Sequence, residues 1–305
     1  MSKNISIIAP HRKGDVWNIP LSFYYEFKRL GYGVKIFNNL NEDQPGITQL
    51  DSRAWNEDGL KQLLKEAKEG LFVPDVIIHF DFGLFKSSLL NKREFPKATW
   101  IYESGDDPQC FRLNFEKVKT GNFDLVMSPD IRAVGEYTNK GFKAVWSPHF
   151  ADPLFLGEEI EPTYDAITSR HFSEPFFTEL KNKLGDQFFA RDAFVNERDH
   201  LSFLKQGKIV VQNSKYKEIT RRIFEGMLAN RLVITDRPDP NTRLDLIFTE
   251  NEDIVYFDSI DDCVDKIYYY AEHDQERNKI SSCAYNKVIK NHTIASRVRK
   301  LLLLI

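Results

Sequence analysis

The chain has 305 residues, enough for two domains at roughly 100–200 residues each. It is 42% hydrophobic and 29% charged, and its 24 Phe and 12 Tyr supply ample core material, so a disordered or fibrous chain is excluded. The formal net charge of −3 gives no general pull toward nucleic acid or an anionic membrane, although it leaves room for a local basic groove.

Three cysteines (Cys110, Cys263 and Cys283) are odd in number and widely spaced, so neither a disulfide framework nor a zinc site is indicated. The N-terminus offers only a short apolar run before charge returns, too little for a signal peptide. No stretch approaches the roughly 20 apolar residues of a membrane span. A soluble protein of the reducing cytoplasm is expected.

In chain order, ISIIAP (5–10) reads as a strand followed by a polar loop, HRKGDVWN (11–18). A helix, LSFYYEFKRLG, ends at Gly31, and VKIF (34–37) is the next strand. A helix near 57–69 precedes DVIIHFD (75–81). ATWIYES (98–104), a helix near 109–120, FDLVMSP (123–129), a helix near 131–140 and KAVWSP (143–148) complete a first series. The strands are continuous apolar runs, as parallel strands covered on both faces require. Alternating β and α with short links predicts a doubly wound sheet.

Residues 149–164 hold prolines and acids that break this rhythm, and the linker is placed at 151–164, after a first domain of 1–150. A second series spans 165–290: DAIT (165–168), a helix near 174–184, a strand at 188–191, a helix near 197–206 and KIVVQN (208–213). The RIFEG helix, LVITD (232–236) and DIVYF (253–257) follow. Ser259 and Asp262 form a capping box that opens a helix to about 271. The chain closes on two helical stretches, and 291–305 is expected to pack back on the first domain. The fold class is α/β, with two Rossmann-like domains facing across a cleft. Ligands would bind at the carboxyl ends of the strands.

The most informative segment is Lys208 to Asp236, in which a strand, a polar turn, a helix and a second strand follow one another. Glu225 lies one turn beyond Arg221 and Arg222, so the three charges share a helix face. A carboxylate can accept both hydroxyls of a ribose diol, and two guanidiniums suit phosphate. The alternative is a solvated Arg221–Glu225 pair worth about 0.3–0.5 kcal/mol. Gly226 costs about 1 kcal/mol inside a helix, which either a ligand or close helix–sheet packing would explain. Asn213, Ser214 and Lys215 enter the helix, whose N-terminus suits a diphosphate, or else they form an ordinary turn. No GxGxxG or P-loop motif is present.

Other candidates sit at strand ends. His11, Arg12, Lys13 and Gly14 follow the first strand, as either a ligand-facing or a solvated basic loop. Glu103, Asp106 and Asp107 in ESGDDP offer hydroxyl-binding groups or a general base, or else cap the next helix. They are not a spaced D-x-D metal motif. His79 and His149 are further candidates, His149 for a catalytic role beside Asp106 and Asp107 and His79 for the cleft. A lone histidine among apolar residues is more commonly a satisfied core group.

WIYESGDDP, FDLVMSPDIRAVGEYTNKGFKAVWSPHFADPLF, RRIFEGMLANRLVITDRPD, EDIVYFDSIDDCVDKIYYY and NHTIASRVRKLL occur in an order that resembles the GT-B glycosyltransferases, specifically the CgeB-like, group 1 branch. The resemblance implies a metal-independent transferase that takes a nucleoside diphosphate sugar as donor and needs no cofactor. It implies that Glu225 holds the donor ribose and that Arg222 meets donor phosphate. Two departures stand out: Lys217 where a second glutamate is common, with Glu218 beside it, and Asn230–Arg231 where a small residue and glycine are usual. The expected reaction is transfer to an acceptor hydroxyl, with retention of configuration. The acceptor is open among protein, glycan, metabolite and modified DNA base, and net charge does not point to nucleic acid. The alternatives are a nucleotide-sugar epimerase of the same fold or a non-catalytic nucleotide-sugar-binding protein.

Overall fold

The computed structural model describes residues 3–9, 19–38, 59–81, 92–169, 175–191, 197–214 and 216–305. The chain divides into two compact units, Met1–Pro148 with Val298–Ile305, and His149–Arg297. The segment expected as a linker, 151–164, falls within the second unit in this division.

The first unit is a six-stranded parallel sheet. Its elements are β1 (Asn4–Ala9), α1 (Ile19–Arg29), β2 (Gly33–Asn38), α2 (Gly59–Lys68), β3 (Val76–Asp81) and β4 (Thr99–Ser104). They continue with α3 (Phe111–Gly121), β5 (Leu125–Ser128), α4 (Ile131–Asn139) and β6 (Ala144–Trp146). The strand order is β2-β1-β3-β4-β5-β6, so the winding direction reverses between β1 and β3. β4 is buried from Trp100 to Ser104 and β5 along its whole length, which is why both read as unbroken apolar runs. Trp100, Tyr102, Phe123 and Tyr137 anchor the core between the sheet and α3 and α4.

The second unit is a five-stranded parallel sheet. It contains β7 (Tyr164–Ser169), α5 (Pro175–Leu184), β8 (Phe188–Arg191), α6 (Glu197–Leu204), β9 (Gly207–Gln212) and α7 (Arg221–Leu228). β10 (Leu232–Asp236), β11 (Val255–Phe257), α8 (Ile260–Glu272), α9 (Asp274–Asn291) and α10 (Ile294–Leu302) follow, the last running across the boundary at 297. The order is β11-β10-β9-β7-β8, so here the reversal lies between β7 and β9. The capping box opens α8 with a one-residue shift. Ser259 Oγ accepts the Asp262 N–H, while Asp262 returns its carboxylate to the Asp258 N–H.

Two sequence oddities have local explanations. Asn230 adopts φ +56°, the left-handed position that ends α7, so asparagine serves where a glycine is usual. Arg231 is nearly buried and turns back to the segment before β7. It donates to the carbonyls of Lys205 and Ile160 and pairs with Glu159 at 2.8 Å. The Lys205 ammonium reaches the Gly157 and Glu158 carbonyls at 2.9 and 2.8 Å. A buried cation is tolerated only when paired and hydrogen-bonded, and both of these are.

Candidate functional site

In a doubly wound sheet the reversal point leaves a crevice at the carboxyl ends of the two diverging strands. In the second unit those ends are Ser169 of β7 and Gln212 of β9. α7 starts beside them, later than the sequence pattern indicates. Residues 213–214 and 216–220 are non-helical, Thr220 is the N-cap, and the first helical residue is Arg221. Ser214 is therefore no part of the helix N-terminus.

The strand-end loop is held by Asp236, the last residue of β10. Its buried carboxylate accepts from the Ser214 N–H at 2.7 Å, from Ser214 Oγ at 2.9 Å and from Lys217 Nζ at 2.9 Å. Lys217 sits at φ +52°, and its carbonyl accepts the Asp239 N–H. Ser214 thus organises the loop, since its N–H and hydroxyl are both directed at Asp236. Asn213 is half-buried at the strand end. Lys215 lies outside the described residues, as do His11, Arg12, Lys13 and Gly14.

Arg222 and Arg221 diverge from the start of α7. Arg222 Nη1 donates to the Ser169 carbonyl at 2.7 Å, which places its guanidinium at the reversal point. Arg221 turns to Glu225, with Nε 2.9 Å from Oε1, and lies 5.8 Å over the Phe150 ring. That contact is an ion pair by distance, with the N–H directed off the line to the oxygen. The expectation that all three charges share one face holds for Arg221 and Glu225, whereas Arg222 reaches across to β7.

Glu225 is not a solvated i,i+4 pair. Its side chain is 6% exposed, and its second oxygen, Oε2, lies 3.0 Å from His200 Nε2 on α6. Burial pushes the Glu225 carboxyl up, but Arg221, His200 and Arg222 outweigh it and hold the group well below the usual carboxylate range. Glu218, just before α7, goes the other way. Burial raises it against the hydrogen bonds of its own and the Tyr216 N–H, the latter at 2.7 Å.

His200 had no signal in the sequence. It is a lone histidine in ERDHLSFL, 25 positions before its partner, and no local spacing links the two. Asp236 was visible as the acid closing an apolar strand, but its role emerges only from the loop it holds.

Several candidates take structural roles. Gly226 packs on the sheet: an added Cβ would come within 2.8 Å of Val233 Cγ2 and 3.2 Å of Val210, so helix–sheet packing explains it. His79 lies inside β3, fully buried and stacked on Tyr102 at 5.9 Å. Asp107 is also buried. Asn114 Nδ2 donates to its Oδ1 at 3.0 Å and Ser128 Oγ to its Oδ2 at 2.9 Å, which removes it as an accessible base. Asp106 is half-buried, and its carbonyl starts the turn into α3. Glu103 is buried on β4. His149 is half-buried, and its carbonyl accepts from Arg297 at 2.7 Å.

Residues 175–303 match a family described as glycosyl transferase-like. Among solved structures, sucrose-phosphate synthase from Thermosynechococcus elongatus is similar at TM-score 0.64 and 12% identity, over 99% of this chain and 98% of that one. An alpha-glucosyltransferase solved with UDP-glucose and DNA containing an abasic site is similar at TM-score 0.67 and 12% identity, over 100% and 99%. Anabaena Alr3699/HepE, solved with UDP and glucose, is similar at TM-score 0.63 and 11% identity, over 99% of each chain. The chain has the fold of these GT-B glycosyltransferases. No curated protein matches the chain. The matched residues span β9, α7 and β10, and so include Glu225, Arg222 and Asp236. No described helix is long and apolar enough to cross a membrane.

Proposed function

We propose that this GT-B glycosyltransferase moves a sugar from a nucleoside diphosphate sugar to an acceptor hydroxyl, without a metal or other cofactor and with retention of configuration. The observation that carries the reading is Glu225, a buried carboxylate held between Arg221 and His200, on the helix whose Arg222 reaches the end of β7 at the reversal point of the sheet. Its oxygens keep further acceptor positions beyond those two contacts, as a ribose diol requires. Arg222, at the β7 end, and the N-terminus of α7 would meet the diphosphate. As the bond from anomeric carbon to phosphate oxygen breaks, negative charge grows on the leaving diphosphate, and a fixed guanidinium stabilises that charge more than the ground state. The three free cysteines suit a reducing cytoplasm.

The acceptor follows less directly. Three of the similar structures are of glucosyltransferases solved with DNA or described as DNA-modifying, which puts hydroxylated nucleobases beside glycans and small metabolites in an acceptor screen.

The test is a thermal-shift screen of nucleotide sugars, followed by calorimetry on Glu225→Gln. A matching donor raises Tm in the wild type by mass action, and the variant loses most of that shift. Equal donor affinity in both proteins would overturn the assignment of Glu225. Sugar epimerisation with no acceptor present would redirect the reading to an epimerase.

A further inference from the structure

The reading of Glu225 as the ribose acceptor leaves open what fixes the carboxylate in one orientation. Arg221 lies on the same helix, one turn earlier, and its Nε–H is misaligned with Oε1. A pair of this kind neutralises the carboxylate but does not set its rotation about Cγ–Cδ. The second contact comes from a different element, as His200 on α6 reaches Oε2 at 3.0 Å with its ring 13% exposed. An ionised carboxylate only accepts, so the ring nitrogen facing it carries the proton, and His200 donates through Nε2–H. Held from two elements, the carboxylate plane is fixed, and its remaining acceptor positions point in one set of directions.

We propose that His200 is a positioning residue that orients Glu225 toward the donor ribose and so sets the preference for ribo- over deoxyribonucleotides. This rests on the reading of Glu225 given above. His200 touches no reacting atom; it acts through the carboxylate. A merely structural His200–Glu225 contact would support α6 on α7 without affecting which sugar the carboxylate reads.

The test compares binding of the four common ribonucleoside diphosphates with their 2′-deoxy counterparts, by calorimetry, in the wild type, His200→Ala, His200→Gln and His200→Asn. The wild type is expected to favour a ribonucleotide by about tenfold or more, the equivalent of one well-placed hydrogen bond to a charged group. His200→Ala should cut that preference to within about threefold, with a smaller loss of 2′-deoxy affinity through the remaining 3′-hydroxyl contact. Gln can present an amide N–H at a similar reach and should restore the preference, and the shorter Asn should not. If His200→Ala does not fold, the Gln and Asn variants carry the same comparison between them. A wild type without ribose preference, or one that binds no nucleoside diphosphate, overturns the Glu225 reading and this inference together. A wild type with the preference, retained in His200→Ala or in Asn as fully as in Gln, overturns the role of His200 alone.

Discussion

Each unit buries a carboxylate near the carboxyl end of its sheet, and the two are treated in opposite ways. Asp107, in the first unit, is surrounded by neutral donors. Burial raises its carboxyl, and hydrogen bonds from Ser104, Asn114 and Ser128 offset this only in part. The network continues through Asn114 to Ser104 Oγ and the Tyr102 hydroxyl, which closes it within the core. Glu225, in the second unit, is surrounded by cations and is pulled down despite its burial. A neutral, mutually satisfied network uses up its donors and acceptors and behaves as a lock. A carboxylate held by cations on one side keeps acceptor capacity on the other. Burial alone does not fix the state of an acid: neutral neighbours leave Asp107 raised, whereas cations pull Glu225 down.

The sharpest way to break this contrast is at Glu225. Glu225→Gln should weaken donor binding by about 2–4 kcal/mol, because Arg221 and His200 are left around a neutral amide. Calorimetry with the best donor reads this directly, and a loss below tenfold would count against the site. Arg222→Ala should lower kcat by about tenfold to a hundredfold, with a smaller change in donor Kd, since its role grows with leaving-group charge. Steady-state kinetics separate the two.

Asp107→Asn examines the other side of the comparison. Activity at neutral pH should fall less than about threefold, whereas a general base would cost 100-fold or more. The linkage has a defined sign. A carboxyl raised in the folded state adds stability that is complete below its unfolded value, 3.8, and is lost as pH rises through the folded value. Urea unfolding across a pH series should show that decline in the wild type and a flatter profile in the variant.

Gly226→Ala should cost about 1–3 kcal/mol through overpacking on Val233 and Val210, seen as a lower Tm with donor affinity intact in the folded protein. Asn230→Gly is the smallest change and should raise stability by about 0.5–1 kcal/mol, since glycine adopts the left-handed position without a steric penalty.

Strand positions and the α/β class were legible in the sequence because buried parallel strands leave unbroken apolar runs, as in ATWIYES and LVITD. The start of α7 was not. KEIT has helical propensity, but Asp236 holds the preceding loop through Ser214 and Lys217, and this tertiary tether delays the helix to Arg221. Glu225 and Arg222 stand out as candidates from spacing and resemblance. His200 was not, because its partner lies on another helix. Asp106 and Asp107 looked alike on paper. Only the structure separates the half-exposed acid from the one enclosed by Asn114 and Ser128.

The embrace of 157–160 by Lys205 and Arg231 bears on how the protein can be taken apart. A fragment begun at Asp165, where the sequence pattern starts the second β/α series, would strip the Lys205 ammonium of its carbonyl partners and Arg231 of Glu159 and Ile160. It would leave both cations without their carboxylate partner Glu159, and aggregation is the expected fate. A fragment begun at His149 keeps those partners, and is the cut to make for expressing or crystallising the second unit alone.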